Sequence, residues 1–215
     1  MRRQVFIVWF VIFLLWAFYR ASFVFSEATD ELFVKPLIFV LPVLYIVLVR
    51  EKKPISDLGL YFKLRDFLLD LNIGVLLGVA FTLEALMIHY AKYQKFLFSS
   101  LPAITLSGGL LPFMIINFAT SCWEEILGRG YLFNRLNQDS KNTFWAATLS
   151  SFLFLFLHIP MMFTRLHLMG ISILIYPVTI FLLSMTNCYI FSVRKNLTLP
   201  ILVHFFWNMT MSFYL

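Results

Sequence analysis

Charge is what this sequence has least of. Only 13% of its 215 residues are Asp, Glu, Lys or Arg, about half the roughly 25% usual in a soluble domain. From Phe96 to Trp123 there is none at all. With 61% hydrophobic residues, 26 Phe and a mean hydropathy of +0.86, the chain carries more apolar surface than a fold of this size can hide. A water-soluble domain is excluded, and lipid must cover the remainder. Cysteine is nearly absent too: Cys122 and Cys188 lie in apolar segments and form no zinc-type pair. The alternation of apolar and polar residues that membrane barrels require is missing, which excludes continuous strands. Also missing are an HExxH helix of the zinc-peptidase kind, a lipidation box in "NMTMSFYL" and any internal repeat.

What is present is a series of apolar runs, near 4–25, 33–49, 67–91, 109–133, 143–160, 170–193 and 197–214. Each approaches the roughly 20 residues that a membrane-spanning helix needs. They predict an all-α, polytopic transmembrane helix bundle of about seven spans, with six to eight compatible, in a single integral membrane domain over residues 1–215. Residues 1–108 would supply N-terminal spans and 109–214 a core of the last four. The first run starts with basic residues, as a signal peptide does. It is longer than the usual apolar region of about 7–15 residues, and no A-x-A site follows, so a retained span is expected.

A net charge of +6 does not point to nucleic acid here. The Lys and Arg residues cluster in short loops: Arg2 and Arg3, "REKKP" at 50–54 with Lys63 and Arg65, Arg135 with Lys141, and Arg194 with Lys195. By the positive-inside rule these place the N-terminus inside, the acidic "SEATDEL" at 26–32 outside, and the C-terminus outside, with Lys92 and Lys95 falling outside as a mild exception.

Three places break the apolar pattern with residues suited to chemistry: Glu124-Glu125-x-x-x-Arg129, Phe154-x-x-x-His158 and His204-x-x-x-Asn208. Residues four apart share one helix face. Glu125 can therefore pair with Arg129, while Glu124 points about 100° away. Gly128 leaves room beside Glu124. A lone intramembrane His usually bonds a neighbouring helix, and Asn187 is read that way. Glu84 and His89 are read as packing or interface groups, and His167 as solvated. Each mid-bilayer charge costs about 2.5–3.5 kcal/mol, so three polar motifs on successive helices indicate a site.

Such a site can activate water for attack on a carbonyl. Glu124 is the candidate base, His158 shares the proton, and His204 with Asn208 donates to an oxyanion. Arg129 holds Glu125. Glu124, His158 and His204 could alternatively bind a divalent metal such as zinc and leave a position for water. The residues alone leave both routes open, and nothing marks Cys122 as activated.

In this order and on successive helices, the three motifs resemble the CPBP family, the CAAX proteases and bacteriocin-processing membrane peptidases also called the ABI family. "EEILGRGYL" is similar to its EExxxRG element, "NLTLPILVHFFWN" to its closing PIxxHxxxN element, and "SDLGL" at 56–60 to a segment preceding its core spans. Gly128 departs from the aromatic or bulky residue many relatives carry before the Arg. The resemblance implies an intramembrane endopeptidase with Glu124, Glu125, His158, His204 and Asn208 at its centre. Its substrate would be a membrane-associated peptide or lipidated protein: a prenylated C-terminus, a pheromone or a bacteriocin leader. Members have been described as metalloproteases, with glutamate-activated water as the competing mechanism. A multi-pass protein of a prokaryotic cell membrane is expected. A non-catalytic immunity or scaffold protein that captures a membrane peptide is the alternative. A small ion-coupled transporter lacks the support of a discontinuous-helix repeat.

Overall fold

The computed structural model describes residues 2–94 and 102–212. Among them every regular element is helical and no strand occurs. The helices are α1 (Arg2–Ser22), α2 (Glu27–Arg50), α3 (Leu64–Tyr93), α4 (Pro102–Leu106), α5 (Leu110–Ser140), α6 (Thr143–Thr164), α7 (Ser172–Arg194) and α8 (Thr198–Met211). A single 3-10 turn, Ile55–Leu58, lies between α2 and α3.

Six of these, α1, α2, α3, α5, α6 and α7, are long and apolar enough to cross a membrane. The segment expected at 197–214 forms α8, with 14 residues; positions 213 and 214 fall outside the described residues. At 1.5 Å per residue α8 extends roughly 21 Å, short of a hydrocarbon core of about 30 Å. Its neighbours compensate, since α8 packs against α3, α5 and α7. Pro177, where a re-entrant piece would have broken the count, lies inside α7.

Two helices run further than hydropathy suggests. The α2 helix begins at Glu27, so the acidic stretch expected in an outer loop is helical and Asp30 and Glu31 are buried. Pro36 and Pro42 lack an N–H and crowd the carbonyl four residues back. Wide turns with i→i+5 bonds at Asp30–Val34 and Pro36–Val40 accommodate them, and a third follows at Tyr45–Arg50. The α5 helix continues past the apolar run to Ser140, and its middle, Ile126–Phe133, is wound in the same wide form.

The core sits around that middle segment. Leu127, Tyr131, Leu132 and Phe133 are fully buried against residues of α1, α2, α6 and α7. The SDLGL segment forms the 3-10 turn and fixes the segment from outside. Leu58 is fully buried, and a Cβ on Gly130 would come within 2.8 Å of its carbonyl oxygen. Gly59 adopts φ +80° and accepts a hydrogen bond from Leu197 N–H at the start of α8. The Arg135 guanidinium pairs with Glu51 at 2.7 Å and Asp57 at 2.5 Å. One basic end of the bundle is thus tied together by ion pairs, with Arg2–Asp139 and Arg194–Asp70 completing it.

Candidate active site

Glu124 and Glu125 stand where α5 changes from ordinary to wide turns, a kind of irregularity that often marks functional positions. Both are buried. Glu125 is fully enclosed; its Oε1 accepts from His204 Nδ1 at 2.7 Å and Asn187 Nδ2 at 3.0 Å and forms an ion pair with Arg129 Nη1 at 3.0 Å. The expected Glu125–Arg129 pair is present. The Arg129 guanidinium also lies 4.6 Å from the centre of the Phe154 ring, a cation–π contact. Gly128 explains how that ring fits, since a Cβ there would meet Phe154 Cδ2 at 3.3 Å. The room beside Glu124 is therefore taken by the aromatic of the second motif.

Glu124 makes different contacts. Its Oε1 accepts from Lys35 Nζ at 2.9 Å, and its Oε2 lies 3.5 Å from His158 Nε2 and 3.6 Å from His204 Nε2. The tautomers follow from the other ring nitrogens. His158 Nδ1 is 3.0 Å from the Phe154 carbonyl, which can only accept, so Nδ1 carries the hydrogen. His204 Nδ1 likewise donates to the Glu125 carboxylate. In the neutral rings both Nε2 atoms are therefore acceptors aimed at a third acceptor, Glu124 Oε2. Three acceptors in so small a space are favourable only when a donor stands among them, either a water or a proton on one imidazole.

Charge counting agrees. Lys35 also pairs with Glu31 at 2.5 Å, and Glu31 receives the Thr120 hydroxyl at 2.8 Å. With Lys35 and Arg129 positive and Glu31, Glu124 and Glu125 negative, the cluster lacks one positive charge. A single proton shared within the His158–His204–Glu124 group neutralises it, as a low-dielectric interior demands.

Lys35 and Glu31 were not anticipated from sequence. A signal existed: Lys35 is the sole basic residue between Arg20 and Arg50, four residues after Glu31 at the mouth of an apolar run. Asn187 makes the interhelical bond expected of it, and its partner is Glu125. His167 is exposed in the loop after α6.

These side chains border one cavity of about 660 Å³, within the 300–1,000 Å³ typical of ligand sites. Glu124, Lys35, His158, His204 and Asn208 all line it. Glu125 and Arg129 lie behind the wall. Glu125 bonds the lining residue His204, and Arg129 pairs in turn with Glu125.

A zinc site needs ligands about 2.0–2.2 Å from a common point and no competing cation there. No group of three or more His, Cys, Asp or Glu among the described residues is arranged to hold a metal ion. The Lys35 ammonium is already seated on Glu124. The donor set does not fit a metal.

Comparison with known proteins gives one match. Residues 105–210 match the family model described as Type II CAAX prenyl endopeptidase Rce1-like. That stretch contains all six expected site residues. No curated protein and no solved structure matches the chain significantly.

Proposed function

With residues 105–210 matching the Rce1-like type II CAAX prenyl endopeptidase family, we propose that this membrane protein is an intramembrane endopeptidase in which Glu124 activates water. The observation that carries the reading is the convergence of Glu124, His158 and His204, from three helices, on the wall of one cavity.

A water bonded to Glu124 Oε2 and a histidine Nε2 is held beside the cavity. As its oxygen attacks the carbonyl carbon of a peptide bond, one proton passes to Glu124. The carbonyl oxygen becomes an oxyanion, which the Asn208 amide and a protonated imidazole stabilise by donating to it. The C–N bond then breaks as Glu124 returns that proton to the leaving nitrogen, and the new carboxylic acid gives its remaining proton to the freed amine, leaving a carboxylate on one fragment and an ammonium on the other. Glu125 fixes the His204 tautomer through Nδ1, and Arg129 and Asn187 fix Glu125. Lys35 pairs with Glu124 and balances its charge. Exclusion of bulk water strengthens each of these interactions. The substrate is a membrane-associated peptide or lipidated protein.

The test uses the full chain in detergent micelles with quenched-fluorophore peptides, unmodified and farnesylated. Wild type should cleave at least one series, and Glu124→Gln should lose about 10²–10⁴-fold of that rate. Equal retention of intact peptide by both proteins, without cleavage, would instead identify a non-catalytic peptide-binding immunity or scaffold protein.

A further inference from the structure

The cavity belongs to one end of the bundle. Its lining on α1 is Arg20, near the C-terminus of that helix, and on α2 the segment Glu27 to Lys35, at the N-terminus. On α5 it is lined by Asn117, Thr120 and Glu124, none of them beyond the helix middle. On α6 the lining begins at Phe154 and continues past the helix to Leu166, and on α7 it stops at Leu183. The His204–Met211 part of α8 completes it. Because successive spans alternate in direction, all these positions lie toward a single membrane face. Arg20 and Arg165, both paired with Asp30, mark its rim.

The opposite face is the basic one. The segments 2–3, 50–53, 63–65, 135–141 and 194–195 hold eleven of the chain's seventeen Lys and Arg residues, and the ion pairs Arg2–Asp139, Arg135–Glu51 and Arg194–Asp70 gather them. Between that face and Glu124 stand fully buried Leu127, Arg129, Tyr131, Phe133 and Arg135. No lining residue comes from beyond this layer. The cations toward the cavity end do not offset the asymmetry: Arg20 and Lys35 are buried on carboxylates, Arg165 is paired with Asp30, and Lys92 and Lys95, at the end of α3 and after it in the sequence, are two against eleven.

Basic loops remain on the cytoplasmic side of a membrane. We propose that the cavity opens on the non-cytoplasmic face, and that the substrate is an exported peptide segment presented at the outer leaflet. A prenylated C-terminus in the cytoplasm would meet the sealed, basic end. The substrate class rests on the peptidase reading above; the orientation does not.

Orientation is measured first, without any need for catalysis. Met169, 76% exposed in the α6–α7 loop, and Phe62, 71% exposed before α3, mark the two ends. Each is changed to Cys in the full chain, and intact cells are treated with a membrane-impermeant maleimide. Wild type, with Cys122 partly buried and Cys188 buried, sets the background. Met169→Cys should label at least tenfold above background in intact cells, and Phe62→Cys only after permeabilisation. The reverse pattern, or equal labelling of both in intact cells, overturns the proposal. Ile171→Cys and Leu64→Cys serve as second markers if either first variant fails to accumulate. The substrate class is measured next, with unmodified fluorogenic peptides added outside intact cells. Wild type but not Glu124→Gln should cleave them; cleavage that appears only after permeabilisation overturns the outer-leaflet assignment. Absence of cleavage under every condition, with the labelling pattern as expected, overturns the peptidase reading and its substrate while leaving the orientation standing.

Discussion

His204 stands between the two adjacent glutamates, with Nδ1 on Glu125 at 2.7 Å and Nε2 facing Glu124 at 3.6 Å. Neighbouring residues of one helix thus reach opposite nitrogens of a single imidazole on another. Glu125 sets the ring's tautomer and angle, and Glu124 faces the nitrogen left open for chemistry.

The first consequence concerns Glu125. Glu125→Gln keeps the shape but can present an amide N–H to His204 Nδ1, which reverses the tautomer. We expect peptide cleavage to fall about 10–100-fold in kcat with KM little changed, the size usual for losing a supporting bond of this kind. Steady-state kinetics on a fluorogenic peptide would show it, and an unchanged kcat would remove Glu125 from the mechanism.

Asn208 is assigned to the oxyanion. Asn208→Ala should lower kcat by about 10²–10³-fold while binding of an uncleavable peptide stays near wild type. A loss confined to KM would make Asn208 a substrate-binding residue only.

For Lys35 the expectation is about stability as well as rate. Removing its charge in Lys35→Met leaves Glu31 and Glu124 buried and uncompensated, a change of about 3–5 kcal/mol. Thermal unfolding in detergent should register a lower Tm, and Lys35→Arg should recover much of it. A Lys35→Met protein as stable as wild type would mean that the Glu31–Lys35–Glu124 contacts do not hold.

Two glycines of one motif should respond unequally. Gly130→Ala pushes a methyl into the Leu58 carbonyl, backbone that cannot yield easily, and should destabilise by about 1–3 kcal/mol. Gly128→Ala meets only the Phe154 ring at 3.3 Å, which can turn. Its effect should be smaller in unfolding and larger in activity, because that ring lies under Arg129 and beside His158.

Chelation supplies the last measurement. With Lys35 seated on Glu124, cleavage should survive prolonged treatment with a strong zinc chelator, to within about twofold. Loss of activity that added zinc restores would contradict the metal-free route.

Much of the fold was legible because lipid imposes a blunt rule: backbone groups in hydrocarbon must be satisfied within helices, so length and apolarity alone mark the spans. The motif spacing likewise carried Glu125–Arg129, since four residues make nearly one turn. What hydropathy could not show was where polar residues stay helical. Asp30 and Glu31 look like loop residues until their partners Arg20, Arg165 and Lys35 are placed around them. The Lys35–Glu124 contact joins residues 89 positions apart and leaves no local pattern. The short α8 was hidden for a similar reason, because an apolar run can end in the shelter of neighbouring helices as readily as in lipid.

The position of Lys35 also bears on how such a protein can be divided. The stretch that matches the family begins at residue 105, yet the ammonium that balances Glu124 enters from a helix seventy residues earlier in the numbering. A fragment built from the matching stretch alone would bring two acids into the bilayer with one guanidinium to answer them. Grafting this core onto other N-terminal spans would therefore call for a substitute cation at the same depth, or for Glu124 to enter protonated and lose its basicity.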